Sequence, residues 1–185
     1  TFGTATDFAD NTITANWEAN RYKVVLNLND NNFENGSTKV ESPIVVEGNE
    51  LEVKQGLVEL WVVYGTTYET LYMGEDSDET VTLTQIANAM KRDGYTFSAW
   101  MTAAEDGTVF VETNKHETEQ TATIFAVWTA KEFKLTINKN IDKVEVEVST
   151  GSGDNKVVIT PVEGTYTVVF DTTISLKATV SEGYN

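Results

Sequence analysis

The chain has 185 residues, no Cys, two Pro and a formal charge of −16, with 40% hydrophobic and 10% aromatic residues. That length and apolar content supply cores for one large or two small folded domains, while the lack of Cys excludes disulfides and thiolate metal sites. The acidity disfavours nucleic-acid phosphates and anionic lipid heads as partners, and no apolar run approaches the roughly 18 residues of a membrane span.

The charge is uneven. Residues 131–185 hold six Lys against eight acids, so −14 of the total falls on residues 1–130. Solubility at a cell exterior is the plain reading of such a surface, and capture of a basic partner or of calcium the sharper one. The chain carries no signal peptide and opens in mid-motif, which reads as a segment of a longer protein.

In chain order the first informative phrase is Thr12-Ile13-Thr14-Ala15-Asn16-Trp17. It returns 111 residues later as Thr123-Ile124-Phe125-Ala126-Val127-Trp128. Extended to Asn29 and Asn140, the two 18-residue windows share eight identities without a gap. An internal repeat of this kind implies an array of similar units. Val24 to Asn29 alternates toward its end as a half-buried strand does. Asp30 to Ser37 is dense in turn formers. Lys39 to Val46 and Glu50 to Val53 read as short strands, and Leu57 to Tyr64 as the strongest strand, closed by a turn at Gly65-Thr66-Thr67.

One helix is signalled, over about 83–92. Thr82 and Gln85 have capping-box spacing, and Leu83, Ile86, Ala87 and Met90 share a face. Lys91 and Arg92 suit the last turn, and Gly94 suits a left-handed stop. Strands follow at Tyr95 to Trp100 and Ala122 to Val127, with a polar loop from Asn114 to Gln120 between them. A second correspondence, at an offset of 106, pairs Val62-Val63-Tyr64-Gly65-Thr66-Thr67 with Val168-Val169-Phe170-Asp171-Thr172-Thr173. Gly94-Tyr95 has its echo in Gly183-Tyr184. Between Thr67 and Gly94 lie 26 residues, but between Thr173 and Gly183 only nine, which leaves no room for a second helix.

The stations Tyr22-Lys23-Val24, Tyr64-Gly65, Gly94-Tyr95-Thr96-Phe97-Ser98-Ala99-Trp100 and Ala126-Val127-Trp128 follow one another in the order of an internalin-type B-repeat, which residues 21–130 resemble. Residues 131–185 are similar to a divergent, truncated all-β form of that repeat, with Phe133-x-Leu135-x-Ile137, Gly164-Thr165-Tyr166, Leu176-x-Ala178-x-Val180 and a Glu-Gly-Tyr ending. Residues 1–20 look like the C-terminal remnant of a preceding copy. The stretch from Asn31 to Leu60 is longer than the family pattern, and the region before Gly94 lacks its usual Pro. The resemblance implies a mostly β fold with one helix (α+β), built as tandem small β-grasp-like sheet modules. It also implies a bacterial secreted or wall-attached protein in which such repeats are spacers or adhesive modules, and it brings no catalytic residues.

Candidate chemistry is sparse. His116, the only histidine, sits in a polar loop without a nucleophile motif, and reads as a solvated loop residue. One His without Cys makes a zinc site unusual. Glu75-Asp76-Ser77-Asp78-Glu79 is the densest acidic run, but it lacks the Gly and distal Glu of an EF-hand loop and reads as solvated. Paired-carboxylate glycosidase chemistry would need a cleft. Lys, Asn and Asp on the strands leave a Lys–Asn cross-link open. Trp17, Trp100 and Trp128 occupy repeat or family positions and read as core. Trp61, whose equivalent is Thr167, lies on the strand face with Glu59 and Val63, opposite Leu60, Val62 and Tyr64. It is the candidate partner-binding residue, a platform for sugar or protein, with packing against the Asn31–Gly56 insertion as the structural alternative.

The sequence thus points to a non-enzymatic extracellular segment of a cell-surface or cell-wall-attached protein, a spacer with possible adhesive contacts. The expected partner is a host or bacterial surface protein or a glycan. The expectation includes a monomer with no cofactor, no metal, no nucleic acid and no membrane insertion in this segment. A carbohydrate-binding module of a secreted enzyme is the alternative, and a calcium-stabilised module a third reading.

Overall fold

Thirteen strands and one helix are laid out along the described residues of a computed structural model, which are 18–29, 39–139, 143–151 and 153–182. The first unit comprises β1 (Arg21–Asn27), β2 (Ile44–Val46), β3 (Asn49–Leu51), β4 (Leu57–Val63), β5 (Leu71–Tyr72), β6 (Thr80–Val81), α1 (Leu83–Ala89), β7 (Tyr95–Met101) and β8 (Ala122–Ala130). Six strands form one mixed sheet in the order β6-β5-β4-β1-β8-β7. β1 runs antiparallel to β4 and parallel to β8, and β2 and β3 form a separate hairpin.

Period-two alternation assigns the faces of the central strands. Val24 and Leu26 of β1, Val58, Leu60 and Val62 of β4, and Ile124 and Ala126 of β8 point inward and are almost fully buried. Against them pack Leu83 and Ile86 of α1 and Ile44, Val46 and Leu51 of the hairpin. Each such side chain contributes roughly 1.5–3 kcal/mol by leaving water. A one-residue slip would turn every one of them outward, so the pattern fixes the register.

Strand β7 departs from simple alternation in an informative way. Phe97 and Trp100 are three apart, yet both lean on the core and their rings lie 5.1 Å from each other. A bulge between Phe97 and Ala99 accounts for this: Phe97 pairs with Trp128 and Trp100 with Ala126. The extra residue resets which side faces in. Trp100 then donates its indole N–H to the Leu83 carbonyl at 3.1 Å, tying the sheet to the first turn of α1. Trp128, partly buried, donates to the Leu28 carbonyl at 2.7 Å. Trp17 and Gly183-Tyr184 lie outside the described residues.

The helix begins as the sequence indicates. Gln85 N–H donates to Thr82 Oγ1 at 3.0 Å, and Thr82 N–H donates to Gln85 Oε1 at 2.9 Å. Thr82→Ala should cost about 1 kcal/mol, read as a shift in the denaturation midpoint. Its end differs from expectation. α1 stops at Ala89, with Met90 already extended. Lys91 and Arg92 are therefore not in the last turn, and Gly94 does not stop the helix. The cause is Arg92, which is 4% exposed, bridges to Val40, and lays its guanidinium on Tyr95 (4.2 Å) and Trp128 (5.4 Å). Each such ring contact is worth about 0.5–2 kcal/mol. Gly94 does take a positive φ, 76°, but in the turn that opens β7. The expected strand from Lys39 likewise narrows to Ile44–Val46, with Val40 kept only as a bridge.

The remaining strands are β9 (Glu132–Thr136), β10 (Val144–Thr150), β11 (Val157–Ile159), β12 (Thr165–Val169) and β13 (Ile174–Val180), with a 3₁₀ turn at Gly153–Asn155. They form a three-stranded sheet, β11-β10-β13, and the pair β12-β9. No α-helix occurs among the described residues after 131. The repeat reappears here in three dimensions. Tyr22 pairs with Val62 on β1 and β4, and Phe133 pairs with Val168 on β9 and β12, the positions that both sequence offsets demand. Tyr64 N–H donates to the Asn20 carbonyl at 2.9 Å, and Phe170 N–H to the Lys131 carbonyl at 2.8 Å. Gly65 (φ 79°) and Asp171 (φ 62°) take the same left-handed conformation.

One residue, Lys131, separates β8 from β9. Its N–H donates to the Gly94 carbonyl at 2.8 Å, and its carbonyl receives the Phe170 N–H. The Phe170 ring covers Gly94, where any Cβ would enter the ring, and meets Tyr95 edge-on at 5.5 Å.

Candidate functional site

The outer face of the six-stranded sheet carries the side chains that the core does not use. Trp61, half-buried at the middle of β4, faces Lys23 on β1 and Tyr72 on β5 in register. It lies on the outer side with Glu59 and Val63, as alternation requires, while Leu60 and Val62 are buried behind it. Lys23 Nζ lies 5.7 Å from the Trp61 ring centre and 2.9 Å from Glu59 Oε2. That ion pair is exposed and adds little stability, so its main effect is to hold Lys23 beside the indole.

The other side of Trp61 borders a groove of about 420 Å³, lined also by Glu50, Glu52, Gln55, Glu59 and Met73. The Asn31–Gly56 insertion thus supplies one wall through Glu50 to Gln55. An indole, an amide and three carboxylates share the groove with Lys54, whose Nζ lies 2.9 Å from Glu52 Oε2; the set can stack on a flat ring and exchange hydrogen bonds with hydroxyl groups. Nothing there is arranged as a nucleophile with a base.

Arg21 organises the acidic loop. Its guanidinium lies over the Tyr72 ring at 3.7 Å. It donates to the carbonyls of Glu75 (2.8 Å), Ser77 (2.6 Å) and, more weakly, Gly74 (3.4 Å), with Asp78 at 3.6 Å. These carbonyl oxygens are the kind a calcium ion would collect, and a covalently held cation already occupies their focus. Among the described residues no group of three or more His, Asp or Glu side chains is gathered for a metal. Arg21→Ala should free the loop and cost about 1–2 kcal/mol, given the strength of bonds from a charged donor. Chelator should leave the melting temperature unchanged; a fall with EDTA restored by calcium would contradict this role.

His116 requires correction. It is 0% exposed, not solvated. Backbone bonds fasten its segment to the turn after β4, with His116 N–H to the Thr66 carbonyl (2.9 Å) and Gly65 N–H to the His116 carbonyl (2.8 Å). Nδ1 lies 2.7 Å from the Tyr68 hydroxyl, and the ring packs against Tyr22 and Tyr68, each 5.6 Å away. Nε2 has no partner of hydrogen-bond geometry. Burial pushes the imidazole pKa below its usual value, and the nearby Thr118 carbonyl opposes this only in part. Burial also raises the Tyr68 phenol. Glu112 is raised by burial first and by the Glu69 charge second. Polar neighbours in sequence concealed His116 because the strands it fastens to are distant in the chain.

The structure therefore keeps Trp61 on an open face and does not bring His116 or the acidic loop to it as a reaction centre. Sequence reasoning missed Arg21, whose partners are more than 50 residues away, and the seating of Phe170 on Gly94. The offset of 106, which equates Phe170 with Tyr64, was the available signal for the second. No helix among the described residues is long and apolar enough to cross a membrane. Comparison with protein-family models, with curated proteins and with solved structures returns no match.

Proposed function

We propose that this chain is a non-enzymatic extracellular spacer segment of a bacterial surface protein, with adhesive contacts made on its outer sheet face. The observation that carries the reading is the seam at Lys131. Two sheet units are joined through one residue by two main-chain hydrogen bonds and an aromatic ring seated on a glycine. A flexible linker would let the units swing; a seam of this kind transmits orientation and tension. The internalin-type B-repeat relationship and β-grasp-like modules belong to the same reading. Their support is a first strand, β1, held antiparallel to β4 and parallel to β8, with α1 between β6 and β7 on the way to β8.

Small-angle scattering on the whole chain tests the spacer role. A single rigid particle is the expected result, while a profile fitted only by two freely oriented bodies would remove it. Measurable turnover of a polysaccharide or peptide would end the non-enzyme reading.

A second reading, a carbohydrate-binding module, is favoured by the Trp61 groove with its carboxylates. Oligosaccharide binding there should quench or shift indole fluorescence, and Trp61→Ala should abolish that change. With Trp61→Ala losing a stacked ring, affinity should fall by about 1–3 kcal/mol. Unaltered fluorescence across a glycan panel leaves the spacer reading alone.

A further inference from the structure

Among the described residues, the seam has a counterpart with no turn seated on it at the other end of the first unit. The aromatic pair Phe133–Phe170 (6.3 Å) corresponds, through both offsets, to Tyr22–Tyr64 (6.0 Å). Strand register, the closing N–H to carbonyl bond and the left-handed residue after the ring all coincide between the two. In the second pair the ring of Phe170 is seated on the Gly94 turn. In the first pair Tyr64 remains 45% exposed.

We propose that the Tyr22–Tyr64 pair is a docking socket for the glycine turn of another unit of this same kind, resting on the spacer reading. The occupant is an Asp-Gly-Tyr turn equivalent to Asp93-Gly94-Tyr95, arriving through the chain at Ala19-Asn20 as that turn arrives through Ala130-Lys131. Three observations select it. The phrase Thr12 to Trp17 matches four of the six residues Thr123 to Trp128 of β8, the strand that in the first unit pairs with β7 directly after the Gly94 turn. The partner must present glycine at positive φ, because a Cβ would occupy the space of the ring. The units are acidic, so association between separate copies is opposed by charge, and a covalent tether supplies the effective concentration that overcomes it. The socket thus specifies a neighbour in cis.

The test replaces residues 1–19 by a second copy of residues 21–130, so that its Ala130 precedes Asn20. The leading copy carries Tyr64→Phe, which leaves one Tyr64 to report. Nitration of Tyr64 by tetranitromethane, read by peptide mass spectrometry, should be fast in the natural chain and about tenfold slower in the extended one, equivalent to roughly 1.4 kcal/mol. Gly94→Ala in the leading copy should restore the fast rate. Two glycines inserted after the leading Ala130 should do so as well, without touching either fold. Equal rates in the two chains, slow nitration already in the natural chain, or protection surviving the inserted glycines would each overturn the socket. Protection of Tyr64 in the natural chain by added oligosaccharide would overturn it in favour of a ligand platform. A rigid natural chain by scattering together with a Tyr64 left unprotected in the extended chain would sink the socket and leave the spacer reading standing.

Discussion

Gly94→Ala should split the unfolding of this protein. At φ 76° an L-residue costs about 1–2 kcal/mol. The new methyl also displaces the Phe170 ring, which returns half-buried apolar surface to water for about 1.5 kcal/mol more. The expected outcome is a loss of about 3 kcal/mol, with residues 132–182 melting before the first unit. Amide exchange at Lys131 and Phe170 should accelerate, since those two N–H groups close the seam. Phe170→Ala alone should uncouple the units at the smaller cost of about 1–2 kcal/mol. In the double variant the ring's share of the Gly94→Ala penalty should vanish, leaving the backbone share. An unchanged single transition in Gly94→Ala would show that the ring does not couple the units.

Acid should destabilise the first unit through His116. Its folded pKa lies below the ordinary 6.5 because burial disfavours the imidazolium. In the interval between folded and unfolded values the unfolded chain binds more protons, so stability rises with pH there. The contribution is complete above about pH 6.5 and is lost as pH falls through the folded value, at no more than about 1.4 kcal/mol per pH unit. His116→Phe should be less stable by about 1–3 kcal/mol at pH 7.5, because the Tyr68 hydroxyl then loses its 2.7 Å partner. The gap between the two proteins should narrow as pH drops from 6.5 toward 5, measured by denaturant titration. Parallel pH profiles would mean that His116 is protonated at no cost within the fold.

These two predictions concern residues that the chain discloses unequally. Gly94 and Phe170 each stood in a repeat correspondence, so their importance was legible although their contact was not. His116 was hidden altogether. Asn114, Lys115, Glu117, Thr118 and Glu119 around it are exposed, and only the backbone exchange with Thr66 and Gly65 carries the imidazole inward. Trp61 was placed on the correct face by counting twos along β4, yet the groove beside it needed the Glu50–Gln55 segment, which alternation does not position.

The sequence by itself determined the strands that bury one face, the capping box that starts α1, and the register shared by the β1–β4 and β9–β12 pairs. These are local matters of period and end-capping, and a repeated phrase carries them from one copy to the next. The tertiary structure alone decided where α1 stops, which side of β7 Trp100 occupies, what fills the acidic loop, and what lies upon Gly94. Each depends on a partner remote in the chain: Tyr95 and Trp128 drawing Arg92 out of the helix, the bulge set by β8, the Arg21 guanidinium, and the Phe170 ring. Such contacts are chosen by shape and charge once the elements meet, and no spacing of residues along the chain encodes that meeting.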